Sequence, residues 1–113
     1  MTKDPSILLQ HILESIALVE EYIGGVSKEE FLQNNELQDA VTRRIEVIGE
    51  AVKNIPDKLR EKYSDVPWKQ IAGMRDFLVH EYFSVDYSLA WEVTQKDIPM
   101  LKEVIVKMMR NEK

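Results

Sequence analysis

Apolar residues return every three or four positions along nearly the whole chain, and that period fixes what it can fold into. In the middle, Val41, Ile45, Ile48, Val52 and Ile55 make a clean stripe, the buried face of one long α-helix. Ile7, Leu8, Ile12, Ile16, Val19 and Ile23 repeat the pattern in a first segment, and Leu101, Val104, Ile105 and Met108 in a last one. The period-two alternation of a half-buried strand does not occur. Leu9, Leu13 and Leu18 widen the first stripe, so two neighbours, or one neighbour and a second subunit, are needed to cover it.

The breaks between stripes carry helix punctuation. Gly24-Gly25 ends the first helix, because glycine accepts the left-handed conformation of a C-cap. Ser27 with Glu30 reads as a capping box opening a second segment, which Asn34-Asn35 can interrupt. The long helix follows from about Glu36, and Gly49 inside it implies a close helix–helix approach, since glycine there costs roughly 1 kcal/mol relative to alanine. Pro56 stops it, and Asp57 to Tyr63 can form a short turn or helix. Pro67 suits a first helical position, and a helix is expected from there to about Phe83, broken by Ser84-Val85-Asp86. Asp86 is expected to cap a short helix through Gln95, and Asp97-Ile98-Pro99 to open the last one. Short connections favour antiparallel neighbours. The expectation is one all-α domain over residues 1–113, an up-and-down antiparallel bundle of four to five helices.

Composition narrows the function. The chain of 113 residues is 44% hydrophobic and 31% charged, enough to bury a core unaided. It has no cysteine, so disulfides and thiolate metal sites are unavailable, which fits a reducing compartment. No apolar run approaches the length of a membrane span, and Met1 to Ser6 lack the features of a signal peptide; a cytoplasmic protein is expected. A net charge of −5 argues against broad nucleic-acid binding, which needs a basic surface, and leaves room only for a local basic cleft. No metal motif and no glycine-rich phosphate loop is found, so no cofactor is expected.

Chemistry concentrates on the helix that starts at Pro67. At about 100° per residue, Ile71, Met74, Phe77 and Leu78 gather towards the core. Arg75 and Tyr82, seven apart, share the edge of that side, while Asp76 and His80, four apart, point away from it. One helix thus offers a guanidinium, a carboxylate, an imidazole and a phenol. Asp76 is spaced to hydrogen-bond His80, which would orient the ring and raise its proton affinity. The plain alternative is a solvated face. Elsewhere, Glu46 and Glu50 with Arg43 and Lys53 read as a salt-bridged surface, His11 as a surface histidine, and Trp68 and Trp91 as core.

The segment Arg75-Asp76-Phe77-Leu78-Val79-His80-Glu81-Tyr82 resembles the motif of HEPN domains: arginine, four residues, histidine, any residue, tyrosine. The lead-in Pro67-Trp68-Lys69-Gln70-Ile71-Ala72-Gly73-Met74, the later Val85-Asp86 and Trp91, and the upstream Arg43-Arg44-Ile45-Glu46-Val47-Ile48-Gly49-Glu50-Ala51 are similar to the same family. The likeness is specifically to the HepT-like toxins encoded beside small nucleotidyltransferase antitoxins, and it runs from about Leu8 to Leu101.

The resemblance implies a homodimeric helical bundle that brings two motifs together, and a metal-independent endoribonuclease. Carried over, His80 is general base or acid for attack of a 2′-hydroxyl on the adjacent phosphate, and Arg75 holds that phosphate. Asp76 takes a supporting place where the family often carries Asn; a carboxylate there can orient His80 but also repel phosphate. Tyr82 corresponds to the tyrosine that the partner nucleotidyltransferase can modify with AMP, silencing the toxin. The alternative implied is a non-catalytic HEPN subunit that docks the nucleotidyltransferase and is modified by it.

Overall fold

The computed structural model describes residues 5–79 and 86–112, and gives side chains of the helix from Trp68 only as far as Gly73. Helix α1 spans Pro5–Ile23, α2 Lys28–Leu32, α3 Asn35–Lys53, α4 Asp57–Lys62, α5 Trp68–Val79, α6 Tyr87–Glu92 and α7 Ile98–Asn111. No strand occurs among the described residues. The fold is all-α, and α3 lies at its centre, packed against α1 on one side and α5 on the other; α7 covers α1 and α6 meets α2, α3 and α5.

The stripes explain that arrangement. Val41, Ile45, Ile48 and Val52 of α3 are fully buried and Ile55 nearly so, joined by Leu9, Ile12, Ile16 and Val19 from α1 and by Leu101, Ile105 and Met108 from α7. Each such side chain contributes about 1.5–3 kcal/mol when withdrawn from water. Gly49 is buried within α3. Trp68 and Trp91 both join the core, and Trp91 meets Phe31 with ring centroids 5.3 Å apart at 40°. Ile7, expected on the inward stripe of α1, is instead 56% exposed; it sits well round the helix from Ile12 and Ile16, beyond the reach of α3 and α7.

Helix ends follow the sequence closely. Gly25 adopts φ +75° after α1. Ser27 and Glu30 form the reciprocal capping box of α2 (3.1 and 3.0 Å). Asn34 does more than interrupt: its Oδ1 accepts from the Leu37 N–H at 3.0 Å and caps α3. Asp86 likewise caps α6 through the Leu89 N–H at 3.0 Å.

One boundary differs from expectation. Asp97 does not open a new helix; it has helical backbone angles and makes no side-chain cap. The chain stays helical from Tyr87 to Asn111, with a π-helical turn over Val93–Asp97. In that turn the Ile98 N–H reaches back to the Val93 carbonyl. The widened turn accommodates Pro99, which has no N–H to donate and whose ring would crowd a regular α-helical turn. Burial pushes the Asp97 carboxyl up from its ordinary value, opposed by Lys96.

Candidate functional site

The site-bearing helix is fixed at its beginning. The Trp68 indole Nε1–H donates to the carbonyls of Arg60 (3.1 Å) and Tyr63 (3.0 Å), tying the first turn of α5 to the last turn of α4. Pro67 precedes it, and its carbonyl accepts from the Ile71 N–H at 3.1 Å. Trp68, Ile71 and Ala72 are buried, whereas Lys69 and Gln70 are exposed and Gly73 is intermediate. Those six residues define the register of the helix. Arg75 follows Trp68 by seven positions and Ile71 by four, so its backbone continues the bundle-facing stripe. Asp76 follows Lys69 by seven and Gly73 by three, and continues the outer one.

Of the four residues singled out, Arg75 and Asp76 thus stand on α5, with their side chains outside the described residues, as are those of Met74, Phe77 and Leu78. His80 and Tyr82 lie outside the described residues altogether. The chain resumes at Asp86, the cap of α6, and α6 packs against α5, α3 and α2. Both flanks of the motif are therefore tied to the core, by Trp68 before it and, beyond the Asp86 cap, by Trp91 after it.

The neighbouring face of α3 bears out the surface reading of its charges. Arg43 and Glu46 make an ion pair of 3.6 Å with the arginine side chain 66% exposed. His11 of α1 is exposed, and no cluster of three His, Asp or Glu suited to a metal occurs among the described residues. Thr42 was not anticipated. It is buried on α3, and its hydroxyl has no hydrogen-bond partner among the described residues. A lone threonine in an apolar stripe gives no sequence signal, because the methyl group satisfies the pattern while the hydroxyl goes unnoticed. By contrast Gln38, also buried on α3, donates to the Phe31 carbonyl at 3.0 Å.

Comparison with known proteins bears on this helix directly. The family model described as "Ribonuclease HepT-like" matches residues 12–108, a span that runs from α1 into α7 and contains all of α5 and the motif. The chain belongs to the HepT-like ribonuclease family. A "Putative RNase" of Caldanaerobacter subterraneus is 47% identical to this HepT-like chain over 111 residues, covering 98% of the chain and 99% of the relative. The "Probable ribonuclease HepT" of Thermococcus cleftensis is 44% identical over 94 residues, 83% of the chain and 86% of the relative. A Methanocaldococcus jannaschii protein named "Gamma-glutamylcyclotransferase and putative RNase" is 57% identical over 109 residues; the match takes in 96% of the chain but 49% of that relative. The HepT-like chain therefore spans about half the length of this last protein and nearly all of the first. No solved structure matches it.

Proposed function

We propose that this HepT-like chain is the toxin of a toxin–antitoxin pair, a homodimeric, metal-independent endoribonuclease whose Arg75 and His80 act at the dimer interface. The observation that carries the reading is the family match across 12–108, with arginine and histidine at the motif spacing inside it. Relatives matched nearly end to end are named as ribonucleases. The one named also for a cyclotransferase is twice as long, so that activity is not carried over.

The chemistry needs no metal. His80 takes the proton of a ribose 2′-hydroxyl as its oxygen bonds to the adjacent phosphorus. The bond from phosphorus to the 5′-oxygen breaks, that oxygen takes up a proton, and a 2′,3′-cyclic phosphate remains. Imidazole titrates near neutral pH and suits either proton transfer. The Arg75 guanidinium offers a planar fork to the phosphate oxygens as charge grows on them. Asp76 has the spacing to orient His80. Regulation follows from the same motif: a partner nucleotidyltransferase transfers AMP to the Tyr82 oxygen, which bonds to the α-phosphorus of ATP and releases pyrophosphate. The added phosphate would then repel RNA from the neighbouring site. The protein acts on RNA in the cytoplasm on this reading.

The acidic balance of the chain and the carboxylate at position 76 favour a second reading, a non-catalytic subunit that docks the nucleotidyltransferase and is modified by it. Incubating transfer and messenger RNA with the protein in chelator, beside His80→Ala, separates the two. Cleavage by the parent, slowed about 10²–10⁴-fold in the variant, is expected. Equal cleavage by both removes His80 from the mechanism; no cleavage by either, with Tyr82 still adenylylated, selects the second reading.

A further inference from the structure

Lys69 stands in the first turn of α5, exposed and unsupported by the fold around it. The helix dipole favours anions at that end and opposes a cation there, and no acidic residue in the turn offsets it. Six other cations among the described residues, from Lys28 to Lys102, each meet a carboxylate. Lys69 meets none among the described residues, and it lies on the helix that leads into the motif. Folding free energy therefore gives no account of this charge. In a chain of net charge −5, an unopposed cation beside the motif is a place where a polyanion can be held.

The surface between Lys69 and the motif is open. Gly73 follows Lys69 by four positions and Asp76 by seven, within about 40° of one azimuth at 100° per residue. His80 stands eleven positions on in the sequence, at the same helical phase. A Cβ added at Gly73 would meet nothing within 4 Å, so no neighbouring element crosses this part of the stripe. Position 76 lies roughly 10 Å from Lys69 along the axis. An RNA whose reacting phosphate lies at the motif carries further phosphates on either side, and a strand following this stripe brings one of them to Lys69. An ammonium suits that contact. It is a compact point charge without a fixed fork, so it holds a phosphate whatever the base. It also offsets the carboxylate of Asp76, which alone would repel the strand.

We propose that Lys69 is a substrate-binding residue, holding a backbone phosphate of RNA a few nucleotides from the bond that is cut, along the outer stripe of α5. This rests on the ribonuclease reading for the place of the strand. Its test measures binding without cleavage, so the two can fail separately.

A labelled single-stranded 2′-O-methyl oligonucleotide of mixed sequence, which lacks the attacking hydroxyl, is titrated with the protein across a salt series in chelator. The parent is compared with Lys69→Gln, Lys69→Arg and Lys96→Gln, the last removing the same charge from the π-helical turn. Lys69→Gln should bind severalfold more weakly at low salt. Its plot of log Kd against log salt should be shallower by about 0.7, the value of one phosphate contact on a single strand. Lys69→Arg should keep the parental slope, and Lys96→Gln should bind as the parent does. On cleavable RNA, Lys69→Gln should act through KM rather than kcat. A parent that binds no oligonucleotide, a Lys69→Gln slope equal to the parent's, or equal weakening by Lys96→Gln would each overturn the proposal. Binding that depends on Lys69 without any cleavage would remove the catalytic reading and leave this contact standing. Far-UV circular dichroism and Tm verify that each variant is folded.

Discussion

Helices α3 and α5 lie side by side, yet they are built on different terms. Along α3 the buried positions recur from Gln38 to Val52, and both ends are closed: Asn34 caps the start, and Asn54 donates from Nδ2 to the Glu50 carbonyl at 2.9 Å. On α5 the first turn and a half is held by Trp68, Ile71 and Ala72, and in the sequence polar residues then enter both stripes, Arg75 the inner and Asp76 the outer. A helix whose every turn serves the core has no position to spare for chemistry. A helix whose start is fixed by the Trp68 indole can follow that anchor with polar positions such as Arg75 and Asp76.

The largest effect should come from removing that anchor. Trp68→Ala deletes a buried indole together with its hydrogen bonds to the Arg60 and Tyr63 carbonyls, which keep only their backbone donors from Tyr63 and Val66, and is expected to cost about 3–5 kcal/mol in urea unfolding. Ile45→Ala, in the middle of α3, should cost a comparable 2–5 kcal/mol. The two should separate in activity per folded molecule: Trp68→Ala lowers RNA cleavage beyond its loss of folded protein, and Ile45→Ala does not. Equal specific activities would mean that α5 is held as evenly as α3, and the contrast between them would fall.

The same contrast governs what could be read in advance. The α3 stripe was legible because burial and helical period coincide at Val41, Ile45, Ile48 and Val52, and the capping residues Ser27, Asn34 and Asp86 announce themselves by type. Ile7 misled because it was counted into the stripe although it lies well round the helix from Ile12 and Ile16. The π-helical turn was invisible for a different reason: one extra residue per turn leaves composition unchanged, and Asp97 before Pro99 has the spelling of a helix start. The site was legible only as a motif. Helical spacing puts Arg75, Asp76 and His80 in one helical pattern, but it cannot distinguish a catalytic face from a solvated one; only the family likeness points to the catalytic reading. Nothing in the period signals the Thr42 hydroxyl, which has no hydrogen-bond partner among the described residues.

A smaller effect tests whether the anchor of α5 is itself braced. Tyr63, whose carbonyl receives the Trp68 indole, donates its hydroxyl to Glu112 at 3.1 Å, and Lys62 meets the same carboxylate at 2.7 Å. The Lys62 ammonium, with the Tyr63 hydroxyl, holds the Glu112 carboxyl below its ordinary value. A depressed carboxyl stabilises the fold above its unfolded pKa, and that contribution disappears as pH falls through the folded one. Glu112→Gln should therefore lower Tm slightly at neutral pH, and the gap from the parent should close on acidification below the ordinary carboxyl value of 4.5. A gap that persists unchanged in acid would show that the carboxylate charge is not what braces Tyr63. The Glu112 side chain is 25% exposed, so salt should shrink the gap as well.

The smallest effect bears on the outer stripe of α5. Gly73 lies inside a helix, where glycine is less stable than alanine by roughly 0.5–1 kcal/mol, and a Cβ added there would meet nothing within 4 Å. The fold as described gives no reason for the missing side chain, so Gly73→Ala is expected to raise stability by about that amount in urea unfolding. Asp76 and His80 follow Gly73 by three and seven positions, which makes cleavage by the same variant the informative companion. Higher stability with unchanged cleavage would mean that the outer stripe tolerates added bulk and that only the chemistry-bearing positions of α5 are constrained. Higher stability with slower cleavage would mean that α5, unlike α3, gives up folding free energy to keep its backbone bare for an approaching molecule.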